Sequence, residues 1–498
     1  MKQKRYFEDW LLIEERLNNV HAIPNIFGLR YISAINKHLY KKFYGYNNSL
    51  GFKNNSFINK KYYCTTKISI LFSMLKNIGK IIILCFKLLI RSRDSTNYHL
   101  HKNKFYTTGK MVILFTHTNQ LLFWEKVISS FSKRDILFLI GVDPPKENIN
   151  LLRKTLENFD YQFIEVKKSN FHKCLSLNEK WSLFKFLMFP LKLRSTREAI
   201  ELKFVYLKYV FEASSVLSLM EVFAPNLVLV NAYEVNNFAH LFCQIVRQNG
   251  GKVVNTMNGM KNIDPRNNET NFDIWCVWGE AQRDMLIKYN KIPPEQLKVT
   301  GHLQADRIVD YEYSGLLEQK MSLPKGKKIV SIFSQPQVFA GDYREKFLTS
   351  INRFFAAHQD VVGILKPHPR EDFSDYFNYI DKIENLIILG DNLSNKQLLY
   401  DLLSISNIVV TMYSTVSVEA LCFKKTVISL DFTNLDNLLP IVDGKTVFKC
   451  TEYQSFYTKL EELLSNGYIL SVNDVEKNIG FLDGKNYQRV IDVINEEI

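Results

Sequence analysis

The sequence predicts an α/β protein, with two doubly wound parallel-sheet domains behind a basic, largely helical extension. Three observations carry this. Short β-branched and apolar runs alternate with helical patterns from residue 111 onward, the arrangement that builds parallel sheets covered by helices on both faces. The alternation runs through two successive sets, and at roughly 150 residues per domain a chain of 498 residues holds two large domains and an extension. The charge is also divided. Residues 1–110 hold 20 Lys+Arg against 5 Asp+Glu, a net of +15, while residues 111–498 hold 44 against 46, a net of −2. A content of 46% hydrophobic and 23% charged residues excludes a disordered, collagen-like or disulfide-scaffold chain.

The extension, 1–104, opens with MKQKRYFEDWLLIEERLNN. This is charged and amphipathic where a signal peptide has an apolar core, so export is not expected. Residues 67–91, KISILFSMLKNIGKIIILCFKLLIR, are the most hydrophobic stretch. Lys76, Lys80 and Lys87 interrupt it, leaving no run of ~18 apolar residues for a plain membrane span. On a helix these lysines fall within about 40° of one another, and Ser69, Ser73 and Arg91 join their stripe. Two readings stay open. The helix lies in a membrane interface with Lys76, Lys80, Lys87 and Arg91 reaching anionic headgroups, or it packs on the protein body with its lysines in water. The aromatic residues here form no stacking platform within a recognisable module, so a nucleic-acid partner is not expected.

The first domain, 105–270, is expected to carry strands at Met111–Thr116, Ile136–Ile140, Tyr161–Val166, Leu227–Val230 and Lys252–Asn255. A long helix over 195–222 is stopped near Pro225, and a second over Asn236–Gln248 is stopped by Asn249-Gly250-Gly251. The second domain, 271–485, is expected to hold strands at Ile274–Val277, Leu297–Thr300, Ile329–Phe333, Val361–Leu365, Leu386–Leu389, Ile408–Thr411 and Val427–Leu430. Residues 307–325 read as a connection, and 486–498 as a terminal helix. The seven cysteines are scattered without a C-x-x-C pair, which suits reduced thiols in a cytosolic protein better than a zinc site or a disulfide framework.

Doubly wound sheets bind ligands beyond the carboxyl ends of their strands, so the polar residues there are the candidates. One strand runs into Lys366-Pro367-His368-Pro369-Arg370-Glu371, where two prolines fix the backbone around His368 and neighbouring cations suit a phosphate. Another continues into Met412-Tyr413-Ser414-Thr415-Val416-Ser417-Val418-Glu419. Hydroxyls at a helix start can hold an anion, and Glu419 can accept from ribose hydroxyls. Read alone, this segment is equally an ordinary Ser/Thr cap with a helix-dipole glutamate. Ser334-Gln335 closes a third strand, and Gly301 begins GHLQAD (301–306) after a fourth.

In this order the segments resemble the C-terminal half of two-Rossmann GT-B glycosyltransferases. The resemblance is to bacterial surface-polysaccharide enzymes, namely polysialyltransferase-like and capsule-synthesis transferases and the CDP-glycerol glycerophosphotransferases. GHLQAD stands for their G-x-P-x-x-D-like segment, with Leu303 in place of proline. KPHP follows, and NIVVTMYSTVSVEALCFKKTVI matches the following strand–helix–strand signature. The resemblance covers about residues 225–432. It implies two Rossmann-like domains facing a cleft, with His368, Ser414, Thr415 and Ser417 on the donor phosphate and Glu419 on the ribose. Lys366, Gly301, Ser334 and Gln335 complete the candidate donor-binding set.

Cleaving a nucleotide–sugar bond develops charge on the leaving phosphate, which requires a metal or fixed donors. The chain has no Asp-x-Asp motif, so neither metal nor cofactor is expected. The G-x-G-x-x-G pattern is absent too, and Gly444-Lys445-Thr446 lacks the first glycine of G-x-x-x-x-G-K-[S/T], which argues against NAD enzymes and P-loop NTPases. An inverting transfer needs a base at a first-domain strand end. Glu234, His117 and Asp143 are the candidates, each equally able to serve as a simple cap or turn residue. Related enzymes often have His-Gly where this chain has Asn258-Gly259, so that histidine's role does not carry over.

The expected function is metal-independent transfer of a sugar, with a CMP-sugar favoured as donor, to a bacterial surface glycan or glycolipid acceptor in capsule or lipopolysaccharide synthesis. The expected location is cytoplasmic, peripheral on the inner face of the cytoplasmic membrane. Alternatives are a CDP-glycerol-type polyol-phosphate transferase, a sugar-nucleotide 2-epimerase and a non-catalytic glycan-assembly scaffold.

Overall fold

The computed structural model describes Met111–Ile498 apart from 116–117, 141–148, 166–176, 189–201, 232–236, 258–271, 336–342, 369–370, 391–395, 433–440 and scattered positions within 204–224, 314–320, 372–382 and at 413. The extension, with the helix expected over 67–91, lies outside the described residues. The chain divides into two compact units, Met1–Thr256 with Asp264–Ile274 and Ile494–Ile498 in one, and Met257–Ile263 with Trp275–Val493 in the other.

The first sheet is built from β1 (Met111–Leu114), β2 (Ile136–Ile140), β3 (Gln162–Glu165), β4 (Leu227–Val230), β5 (Lys252–Thr256), β6 (Ile274–Val277) and β7 (Leu297–Val299), in the order β3-β2-β1-β4-β5-β6-β7. The pairs β1–β2, β1–β4, β2–β3, β4–β5 and β6–β7 are parallel. Helices α1 (Asn119–Ile128), α2 (Ile149–Asn158) and α3 (Leu177–Met188) follow β1, β2 and β3; α4 (Asn237–Gln248) joins β4 to β5, and α5 (Glu280–Asn290) joins β6 to β7. MVIL, ILFLI and LVLV are buried along their whole length, as strands covered on both faces must be. That is why they read as unbroken apolar runs. Within 195–222, Leu202, Tyr206, Tyr209, Ala213, Val216 and Leu219 are helical and buried, the spacing of one helix face.

The second sheet holds β8 (Lys328–Phe333), β9 (Val361–Lys366), β10 (Leu386–Ile388), β11 (Ile408–Thr411), β12 (Thr426–Leu430) and β13 (Val447–Cys450), in the order β10-β9-β8-β11-β12-β13, all parallel. The remaining helices are α6 (Ala305–Val309), α7 (Tyr343–Ala357), α8 (Lys396–Ile405), α9 (Val416–Cys422), α10 (Tyr453–Asn466), α11 (Val472–Ile479) and α12 (Asn486–Glu497). Val330, Ile332, Leu365, Val410 and Ile428 pack with Phe347, Ile351, Phe354 and Phe456 in one core. Each such buried side chain removes enough apolar surface from water to contribute about 1.5–3 kcal/mol.

Strands β6 and β7, which the sequence groups with the second half, are hydrogen-bonded in the first sheet, while Trp275–Val493, holding β7 and most of β6, cluster in the second unit. Two local readings are corrected. Residues 307–325 were read as a connection, but Arg307–Val309 close the short helix α6. Strand β13 was not expected, because only Val447 and Cys450 of VFKC are buried. An edge strand of four residues has no apolar run to announce it.

The strand orders place the site. In the second sheet the chain runs from β8 outward through β9 to β10, then returns to β11 on the other side of β8. The reversal lies between β8 and β11. In the first sheet it lies between β1 and β4. Ligands of doubly wound sheets bind at such switch points, beyond the strands' carboxyl ends.

Candidate functional site

Register brings the candidate donor residues to one edge of the second sheet. Phe333 pairs with Lys366 on one side and with Thr411 on the other. The loops that begin Ser334-Gln335, Pro367-His368 and Met412 therefore leave the sheet at the same level, around the switch point.

Lys366, the last residue of β9, is 8% exposed. Burial lowers its ammonium pKa from the ordinary lysine value, and the negative charge of Glu419 pulls it back up. Glu419, half-buried on α9, thus acts on Lys366 from the other side of the switch. It also acts on Tyr400 of α8, whose phenol is pushed well above its usual range first by burial and then by Glu419. Tyr400 lies in an aromatic cluster with Tyr311 and Phe423, at ring distances of 5.4 and 5.6 Å.

His368 is half-buried and follows the buried Pro367. Its backbone N–H donates to Ser334 Oγ and to Glu371 Oε2, each at 3.0 Å, while Glu371 N–H donates to the His368 carbonyl at 2.8 Å. The Ser334 hydroxyl is buried and fully engaged. It accepts from Tyr376 Oη at 2.5 Å and donates to Glu371. Ser334 thereby holds the histidine turn in place. Gln335, beside it, is half-buried.

The three hydroxyls after β11 do not share one environment. Ser414 is buried and its Oγ accepts from Val416 N–H at 3.3 Å, closing a Ser/Thr turn. Thr415 is exposed at the cap position of α9, without a side-chain cap bond. Ser417 is completely buried, and its Oγ has no hydrogen-bond partner.

Gly301 serves packing. It has a φ of +86°, and a Cβ there would collide with the Asn486 side chain. A left-handed backbone and a close approach both favour glycine. Asn486 is buried and donates to the carbonyls of His302 and Phe481 at 3.2 and 2.9 Å. Asp306, the last residue of GHLQAD, is fully buried and accepts from Asn486 N–H at 3.1 Å and Tyr487 N–H at 2.8 Å. The motif that follows β7 is therefore the N-terminal cap of α12.

Glu234, His117 and Asp143 lie outside the described residues. Strands β1 and β4, which precede His117 and Glu234 in the chain, are neighbours at the switch point of the first sheet. Beneath that edge, Trp124 Nε1 donates to Thr256 Oγ1 at 2.8 Å, and Asn231 Nδ2 donates to the Thr256 carbonyl at 3.1 Å. These buried bonds tie the ends of β4 and β5 to α1. Among the described residues, no group of three His, Cys, Asp or Glu side chains is arranged to hold a metal ion. No helix of the described residues is long and apolar enough to cross a membrane.

Sequence reading missed Arg344, Glu371 and Tyr376. Glu371 stood in the quoted motif without a role. Its signal was position, three residues beyond a proline-fixed histidine. Arg344 announced itself as a cation sharing the buried face of α7 with Phe347, Leu348 and Ile351.

The fold is the GT-B class of two parallel Rossmann-like sheets. No protein-family model and no curated protein matches the chain. Solved structures do. The MnaA–UDP co-structure from S. aureus is 13% identical, with a TM-score of 0.50, covering 78% of this chain and 95% of that one. The Neisseria meningitidis UDP-GlcNAc 2-epimerase bound to UDP-GlcNAc is 14% identical with a TM-score of 0.50, covering 78% of this chain and 99% of that one. At this identity the likeness is one of fold.

Proposed function

We propose that the protein is a nucleotide-sugar-dependent transferase that builds a bacterial surface glycan, binding the donor phosphate at the switch point of its second sheet. One observation carries the reading. A buried lysine, a histidine held by its own backbone and a half-buried glutamate gather where β9, β8 and β11 end. Lys366 and His368 are the cation and hydrogen-bond donor that a leaving nucleotide phosphate requires. Donors fixed before the reaction stabilise developing charge without reorganisation. Ser414, Thr415 and Ser417 follow β11 and Gln335 follows β8, and Glu419 is the acceptor for ribose hydroxyls. The base that takes the acceptor's proton is Glu234, His117 or Asp143. The favoured donor is a CMP-sugar.

A second reading, a nucleotide-sugar 2-epimerase, is supported by the solved structures at a TM-score of 0.50. The two differ in their products. Incubated with CMP- and UDP-sugars, a transferase releases nucleotide only when a glycan acceptor is added, and forms a glycosidic bond. An epimerised nucleotide-sugar formed without acceptor would replace the transferase reading, and a polyol-phosphate product from CDP-glycerol would move it to phosphotransfer.

A further inference from the structure

Beneath the turn that carries His368 lies a polar cluster to which neither the motif nor the fold assigns a role. The side chain of Glu371 is 1% exposed, and burying a carboxylate is costly unless it is bonded and faced by a cation. Here it is. Oε2 accepts from His368 N–H at 3.0 Å and from the Ser334 hydroxyl, and lies 2.6 Å from Tyr376 Oη, whose one proton it shares with Ser334 Oγ. Oε1 faces Arg344 Nε at 3.8 Å, and the Arg344 side chain is 5% exposed. The guanidinium also lies 4.8 Å from the centre of the Tyr376 ring. Burial and then Glu371's charge push the Tyr376 phenol far upward, so the tyrosine remains a donor to the carboxylate.

The four residues come from three places: Ser334 from the end of β8, Arg344 from the first turn of α7, and Glu371 and Tyr376 from the chain beyond β9. From the histidine segment the His368 N–H enters the cluster, and it is held twice. We infer that Glu371 is the positioning residue of this site: its carboxylate fixes the His368 backbone, and with it the direction in which the imidazole meets the nucleotide phosphate. Arg344 faces Oε1 as an ion pair, and Tyr376 and Ser334 share Oε2 with the His368 N–H. The inference rests on the donor-phosphate reading for its consequence, but not for its geometry.

Two measurements on the full chain test it. In amide hydrogen exchange, Glu371→Gln and Glu371→Ala are expected to lose protection in the peptide spanning 366–371, with Ala losing more, while the strands β8 and β11 keep theirs. Tyr376→Phe, which keeps the ring under Arg344, moves the same peptide to a lesser extent. Unchanged exchange at 366–371 would overturn the inference. The second measurement is calorimetric affinity for UDP and CMP in a double-mutant cycle of Glu371→Gln with His368→Ala. A positioning role predicts that Glu371→Gln weakens binding about 10-fold, the worth of one displaced charged bond, and has no further effect once His368 is alanine. Equal losses in both backgrounds would make Glu371 a general structural group and refute the role. If His368→Ala alone leaves UDP and CMP affinity unchanged, the donor-phosphate reading falls, and the exchange measurement still decides whether Glu371 holds the turn.

Discussion

At the scale of single residues, the electrostatic pairing of Lys366 with Glu419 sets a pH dependence. In the proposed donor site the ammonium holds phosphate only while protonated, and burial already brings its pKa below the ordinary lysine value. Nucleotide affinity is therefore expected to fall as pH rises through that lowered pKa. The charge of Glu419 raises the pKa, so Glu419→Gln lowers it further and moves the loss to lower pH. Calorimetric titration of UDP across the alkaline range below the ordinary lysine value reads the midpoint in both proteins. A midpoint that stays put, or moves upward in Glu419→Gln, contradicts the coupling. The sequence showed these two residues as polar groups at strand ends, since Lys366 ends an apolar run and Glu419 stands in a first turn. That they act on each other follows from β8 lying between β9 and β11, a pairing over long sequence separation that no local pattern encodes.

At the scale of elements, GHLQAD shows a motif whose glycine and aspartate are structural. Asp306 accepts the first two N–H groups of α12, 180 and 181 residues further along the chain, and Gly301 leaves room for Asn486. Asp306→Ala is expected to lower stability by about 1.5–3 kcal/mol, the range for buried charged hydrogen bonds, read as a lower urea midpoint at unchanged m. A change under about 0.5 kcal/mol would deny the cap. Sequence periodicity placed most strands within one or two residues through their apolar runs, and α12 through an apolar stripe with Val490, Ile491, Val493 and Ile494 buried. It failed at β13, whose Phe448 and Lys449 are partly exposed, and it left Asp306 unassigned, because its partners lie at the other end of the chain. Arg344 and Glu371 were hidden for the same reason: their pairing joins α7 to the turn after β9.

At the scale of the whole molecule, a nearly neutral body with the proposed phosphate site follows a basic extension that lies outside the described residues. The net of +15 in residues 1–110 supports a working place at an anionic membrane, where each lysine near the surface contributes about 1 kcal/mol. Changing Lys76, Lys80 and Lys87 together to Glu is expected to release the protein from sedimenting phosphatidylglycerol-containing vesicles at low salt. Co-sedimentation equal to that of the unaltered chain would favour the other reading, a helix packed on the body.

The central claim is that the switch point of the second sheet binds a nucleotide phosphate through His368. It is tested most directly by calorimetric titration of the full chain and of His368→Ala with CMP, CDP, UDP, GDP and dTDP. The account predicts binding of at least one nucleotide by the full chain and an affinity about 10-fold weaker or worse in His368→Ala, at an unchanged melting temperature. No binding by the full chain, or equal affinity in the two proteins, would contradict it.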